Sequence, residues 1–247
     1  MVKFLFDCDG TLVGSEDLAF EACCALVNEV LENKGVSERF TPKSLMQSFV
    51  GCSFRRMITI LSEKHAFTVE ADELESLVKE EEDRVIEKLL AEVEPCPGVN
   101  DVLARLTGKV DLAVVSSSAL RRVRACLTKA DQDRFFAAEH VYSAANSLPK
   151  PTSKPDPAIY LHAIADLGTT ADLCVALEDS RSGVMAAAAA KLYVIGYVGS
   201  FPAHEREARA RQLMECGAAF VINEWSELFD ALERHAPAIF KELATAA

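Results

Sequence analysis

A short apolar run, Val2 to Phe6, breaks off into Asp7-Cys8-Asp9-Gly10-Thr11, and this junction constrains the fold more than any other stretch of the chain. The run is rich in strand formers, with Lys3 its one polar residue, and reads as a strand buried on both faces, as in a parallel sheet. The acids that follow at once read as a loop built for chemistry. Residues two apart on an extended chain point to one side, so Asp7 and Asp9 are expected to reach a common site. The strand rise separates them by about 6–7 Å along the backbone. Gly10 permits a tight turn, and Thr11 can donate a hydrogen bond.

From about Glu16 to Val93 the pattern changes to helical. Leu18, Ala22, Ala25, Leu26, Val30 and Leu31 keep one helical period, and Leu74, Leu77, Val78, Val85, Ile86, Leu89 and Leu90 keep another. The run Glu80-Glu81-Glu82-Asp83 falls in the last helix and reads as a solvated face. Pro95-Cys96-Pro97-Gly98 marks a break, after which strands and helices alternate. Strands are expected at 110–115, 140–142, 173–177, 192–197 and 219–222, with helices at 120–129, 157–167, 183–191, over the Arg- and Glu-rich segment that follows, and from 225 onward. Alternation of this kind gives a parallel sheet with helices on both faces. The expected fold class is therefore α/β, a Rossmann-like core of residues 1–14 and 94–247 interrupted by an all-helical insert of residues 15–93.

Composition narrows the partners. The 247 residues carry a formal net charge of −12, which disfavours nucleic acid and anionic membranes but leaves room for a small anionic substrate at a local cluster of positive charge. The eight cysteines are irregularly spaced with no CxxC pair, as for free thiols in a reducing compartment. No apolar run approaches the ~18 residues of a membrane span, and the N-terminus is too soon interrupted by acids to read as a signal peptide. A cytoplasmic protein, monomeric or weakly homo-oligomeric, is expected.

Ligands of an open parallel sheet bind beyond the carboxyl ends of its strands, so what each strand delivers there is informative. The first brings Asp7 and Asp9: one carboxylate can attack phosphorus while the other protonates the leaving oxygen and later deprotonates water. The second ends in Ser116-Ser117-Ser118 before a helix, where hydroxyls and N–H groups suit a phosphate oxygen or simply cap the helix. Gly10 and Thr11 join Ser116 and Ser117 as candidate phosphate contacts. Lys154, between stiffening prolines, could offset phosphoryl charge or be an ordinary loop lysine. Glu178 and Asp179 would join Asp7 and Asp9 around one point. Four clustered carboxylates need a cation, and all-oxygen ligands favour Mg2+.

Taken together, Phe6-Asp7-Cys8-Asp9-Gly10-Thr11-Leu12, Ser116, Lys154 and Glu178-Asp179 resemble the four ordered motifs of the haloacid dehalogenase superfamily. The resemblance spans nearly the whole chain. The helical insert resembles the cap of the branch that includes phosphoglycolate phosphatase and β-phosphoglucomutase. Phe49-Val50-Gly51-Cys52-Ser53-Phe54-Arg55 resembles that branch's cap loop, which makes Gly51, Cys52, Ser53 and Arg55 candidates for substrate specificity. The resemblance implies Asp7 as nucleophile, Asp9 as acid/base, and Ser116 and Lys154 on the phosphoryl group. It implies Mg2+ held by Asp7, the Asp9 carbonyl and Asp179 with Glu178 assisting, and a small phosphate ester as substrate, such as a sugar or sugar-acid phosphate.

The superfamily's dehalogenases lack the second aspartate of the first motif, and this chain has it. The mutases carry a histidine on the first cap helix, where this chain has Ala19 and no histidine before His65. Phosphonate cleavage needs a cap lysine on that same helix, and neither Lys34 nor Lys43 stands there. Phosphate-ester hydrolysis is the expected activity. A phosphosugar mutase is the alternative, followed by a phospho-receiver domain, which would have about half this length and no helical insert.

Overall fold

The computed structural model describes residues 1–49 and 52–245. The chain divides into two compact units: Met1–Gly14 with Glu94–Ala247, and Ser15–Val93.

The first unit is a six-stranded parallel sheet. Its strands are β1 (Lys3–Phe6), β2 (Asp111–Ser116), β3 (Val141–Ser143), β4 (Cys174–Glu178), β5 (Tyr193–Tyr197) and β6 (Phe220–Ile222), in spatial order β3-β2-β1-β4-β5-β6. The chain runs outward from β1 through β2 to β3, then crosses back to build β4, β5 and β6 on the other side. The reversal lies between β1 and β4, where an open α/β sheet leaves a crevice at its strand ends. Register fixes what enters it. Phe6 pairs with Val114 and Leu177, so Asp7 is the next residue out, its N–H bonded to the Leu177 carbonyl at 2.9 Å.

Alternation along β1 sets the two faces. Leu5 joins Ala113, Val115, Ala176 and Val194 against α7 (Ala158–Asp166), α8 (Arg181–Ala189) and α9 (Ala203–Cys216). On the other face Phe6 meets Phe136 edge-on at 6.0 Å and Trp225 at 5.9 Å, and Tyr197 stacks on Trp225 at 4.8 Å. Each such aromatic pair adds about 0.5–1.5 kcal/mol beyond its burial. The remaining core helices are α5 (Val99–Leu106), α6 (Leu120–Lys129), α10 (Leu228–His235) and α11 (Pro237–Thr245).

Helix α5 goes beyond the sequence expectation. Its eight residues bury Val99, Val102, Leu103 and Leu106, a helical stripe too short to stand out beside the proline-rich break. The single terminal helix expected from Trp225 is instead a short 3-10 turn followed by α10 and α11. Pro237 cannot continue α10 and opens α11.

The second unit is all-helical, with α1 (Glu16–Asn33), α2 (Pro42–Ser48), α3 (Phe54–His65) and α4 (Ala71–Glu92). Its own core includes Leu26, Leu31, Leu45, Ile58 and Leu61. Thr41 and Ser44 cap α2 reciprocally, and the Ser53 hydroxyl accepts from the Arg56 N–H to start α3, a cap worth about 1 kcal/mol. The segment leaves and rejoins the sheet unit where Val13 pairs antiparallel with Pro95 and the Gly14 N–H bonds the Glu94 carbonyl at 3.1 Å. Among the described residues no helix is long and apolar enough to cross a membrane.

Candidate active site

Three strand ends and one loop build the site. Asp7 follows β1 on the Leu5 side of the sheet, the side that α7 covers. Lys154, seven per cent exposed, places Nζ 2.6 Å from Asp7 Oδ1, 2.5 Å from Glu178 Oε1 and 2.7 Å from the Val115 carbonyl. All three ammonium protons are thereby used, and the lysine ties β1, β2 and β4 together. Burial pulls the Lys154 pKa down, but Asp7 and Glu178 outweigh it and hold the ammonium above its ordinary range. For Asp7 the balance reverses. Burial, with help from Glu178 and Asp9, pushes its carboxyl up to about 7 against the pull of Lys154. The pocket holds more negative charge than one lysine can offset.

That excess defines a place for a cation. Carboxylate oxygens of Asp7, Glu178 and Asp179 lie within 4.8 Å of one another, and an all-oxygen donor set suits a hard divalent ion. Gly10 makes room for Asp179: at φ 77° it takes a turn that side chains disfavour, and a Cβ there would come within 2.0 Å of Asp179 Oδ2. The Thr11 hydroxyl lies 3.4 Å from Asp179 Oδ1.

The second aspartate departs from expectation. β1 ends at Phe6, so Asp7 and Asp9 do not share an extended strand. The chain bends at Cys8, and Asp9 bridges to Val13 in a turn where the Gly10 N–H bonds the Val13 carbonyl at 2.8 Å. The Asp9 carboxylate is held by groups that follow β2. The Ser118 hydroxyl donates to its Oδ2 at 2.6 Å and Arg122 Nη2 to its Oδ1 at 2.9 Å. Three of the four expected carboxylates cluster, and the fourth has partners of its own.

The serines divide their work. Ser116 is buried at the end of β2, its hydroxyl accepting the Ser118 N–H at 3.0 Å. Ser117 accepts the Lys154 N–H at 3.1 Å and so anchors the lysine loop. Ser118 goes to Asp9, and its own carbonyl accepts from the Ser143 hydroxyl at 2.7 Å.

Two residues escaped the sequence reading. Tyr160, fully buried on α7, donates its hydroxyl to Glu178 Oε1 at 2.5 Å. Gly183 on α8 faces the other oxygen, where a Cβ would lie 1.7 Å from Glu178 Oε2. The helical-unit candidates are placed by their own surroundings. Arg55 makes a two-point pair with Glu75, Nη2 to Oε2 at 2.8 Å. Ser53 caps α3, and Cys52 packs against the helical core. Gly51 lies outside the described residues.

The sequence pattern of the haloacid dehalogenase-like hydrolases matches residues 4–197, most of the chain. The chain belongs to that family. It is 30% identical over 224 residues to a phosphorylated carbohydrates phosphatase of Thermotoga maritima, covering 90% of this chain and 94% of that one. Against a 6-phosphogluconate phosphatase of Escherichia coli it is 26% identical over 178 residues, 72% of this chain and 74% of the relative. A solved family hydrolase from Deinococcus radiodurans, with phosphate and sodium bound, superposes with a TM-score of 0.71 at 27% identity, covering 100% and 99% of the two chains. The family's fold and this chain's parallel sheet agree.

Proposed function

We propose that the protein is a magnesium-dependent phosphatase that hydrolyses a small phosphate monoester, a sugar or sugar-acid phosphate, through a phosphoryl group carried on Asp7. One observation supports this reading above the rest: the buried Lys154 ammonium bridges Asp7 and Glu178 beside Asp179, in the crevice where the sheet reverses.

In this mechanism a carboxylate oxygen of Asp7 attacks phosphorus. The ester oxygen departs as the alcohol, taking a proton from Asp9. The resulting carboxylate of Asp9 then removes a proton from water, which attacks the phosphorus, restores Asp7 and releases inorganic phosphate. Lys154 holds Asp7 in line and offsets charge on the phosphoryl oxygens. Ser116, with the N–H groups of its loop, receives one of those oxygens. Asp7, Asp179 and the Asp9 carbonyl would hold Mg2+, with Glu178 assisting. The ion's chemistry there is to screen the anionic nucleophile from its anionic substrate. Glu178 also fixes Lys154, through the oxygen that Tyr160 supports.

The substrate class follows the relatives, which are phosphatases of phosphorylated carbohydrates and of 6-phosphogluconate. The helical unit takes the part of a cap that excludes water during turnover. The reading is tested by phosphate release across a panel of sugar, sugar-acid and simple alkyl phosphates, with Mg2+ or chelator, beside Asp7→Asn. Release that requires the metal and disappears in the variant is the expected result. Equal turnover in Asp7→Asn would overturn it.

A further inference from the structure

We propose that Arg122 and Ser118 are positioning residues for Asp9, a two-sided clamp that fixes the plane of the acid/base carboxylate. The inference rests on the role given to Asp9 above and adds to it the means by which that carboxylate is aimed.

Helix α6 opens with Leu120-Arg121-Arg122-Val123-Arg124, and the three arginines diverge. Arg121 and Arg124 are exposed, whereas Arg122 leaves only a quarter of its side chain in solvent and reaches the sheet end. Its Nη2 contacts Asp9 Oδ1 at 2.9 Å, and the Ser118 hydroxyl contacts Oδ2 at 2.6 Å. Holding both oxygens removes rotation about the carboxylate's terminal torsion, a soft two-fold coordinate for an unrestrained aspartate. The clamp is itself braced. The Ser118 N–H bonds Ser116, the Ser118 carbonyl accepts from the Ser143 hydroxyl, and Asn146 accepts the Leu120 N–H.

A second observation distinguishes this arginine from a structural ion pair. Arg122 Nε is buried with no hydrogen-bond partner. Arginine placed for stability alone would be expected to fill its donors, since a buried donor without a partner is costly. The geometry instead gives priority to Asp9. An acid/base group that must give a proton at the ester oxygen and later take one from water near the same point needs a fixed aim. A misplacement of about 1 Å can cost a hundredfold in rate.

The test uses Arg122→Met and Ser118→Ala in the full chain, with single-turnover phosphorylation of the enzyme measured for two esters. A sugar phosphate leaves as a strongly basic alkoxide and needs the proton, whereas p-nitrophenyl phosphate leaves as a stable nitrophenolate and does not. Arg122→Met is expected to slow phosphorylation by the sugar phosphate roughly tenfold to a hundredfold. Phosphorylation by the nitrophenyl ester should stay within about threefold of wild type, and guanidinium ion added to Arg122→Ala should restore part of the sugar-phosphate rate. Ser118→Ala should show the same selectivity with a smaller loss.

A crystal structure of Arg122→Met should show the Asp9 carboxylate turned from its wild-type plane. Equal slowing of both esters, no slowing, or an unmoved Asp9 would overturn the clamp. Undiminished sugar-phosphate rates in Arg122→Met beside an inactive Asp7→Asn would overturn the clamp and leave the phosphatase mechanism standing. Activity surviving in Asp7→Asn would remove the phosphatase mechanism itself.

Discussion

Lys154 in the sheet unit and Arg55 in the helical unit each meet carboxylates, on opposite terms. The Lys154 side chain is three per cent exposed and meets Asp7 and Glu178, 11 and 0 per cent exposed. That of Arg55 is 44 per cent exposed and meets Glu75, itself 64 per cent exposed. The same contrast runs through both units. On the helices, Arg84 pairs with Glu29 and Glu80, Lys88 with Glu21 and Glu92, and Lys34 with Glu73, all toward solvent. Water and salt make such pairs nearly dispensable. At the sheet's rim, Lys154, Asp7, Glu178 and Asp179 are largely withdrawn from water, and each depends on the next. The comparison teaches that charge density alone does not mark this site. What marks it is charge retained in a buried place, with glycines shaped to admit it.

The largest break in that comparison should come from Lys154→Met. It leaves Asp7 and Glu178 buried without their cation, a loss of about 3–5 kcal/mol in denaturant unfolding, and turnover should fall roughly a thousandfold. A stable, active variant would mean the rim tolerates charge as the helices do.

Next is a pH effect in chelator. Asp7 has a folded pKa of about 7 against an ordinary 3.8, so the folded chain binds the extra proton. Its favourable contribution is complete below about pH 4 and is lost as pH rises through 7. Asp7→Asn avoids that loss. In thermal melts it should exceed wild type by several degrees at about pH 8, with the gap closing toward about pH 4. A gap that widens on acidification would contradict the burial argument.

Gly183→Ala should cost about 1–3 kcal/mol, because the added carbon meets Glu178 Oε2. Turnover should fall with it, since Glu178 holds Lys154. Smallest is Arg55→Ala, which should leave the unfolding midpoint and kcat unchanged and move KM by no more than about threefold. A larger change in KM would show that Arg55 leaves Glu75 to meet substrate.

Much of the sheet and its rim was legible because the informative residues lie contiguous with their strands. Asp7 touches β1, Ser116 and Glu178 end β2 and β4, and Asp179 is one residue further. The helical unit's character was legible from its periodicity. The sequence was less clear wherever a residue acts from the interior of a helix. Tyr160 looks like any aromatic on the apolar face of α7, and its hydroxyl contact with Glu178 depends on how α7 packs against β2 and β3. Gly183 shows itself only once Glu178 Oε2 is seen against it. Arg122 lay in plain view among three arginines, but the first turn of α6 had to be oriented before one could be chosen. Strand geometry does not describe Asp9, because Cys8 bends the chain and the carboxylate takes Ser118 and Arg122 as partners.

The most direct test of the account is acid quench during turnover with a sugar phosphate, followed by mass spectrometry of the digested protein. One phosphoryl group should appear on the peptide that contains Asp7, rise to a steady level with substrate and Mg2+, and decay when substrate is spent. Phosphate turned over with no label on that peptide, or with label on another residue, would contradict it.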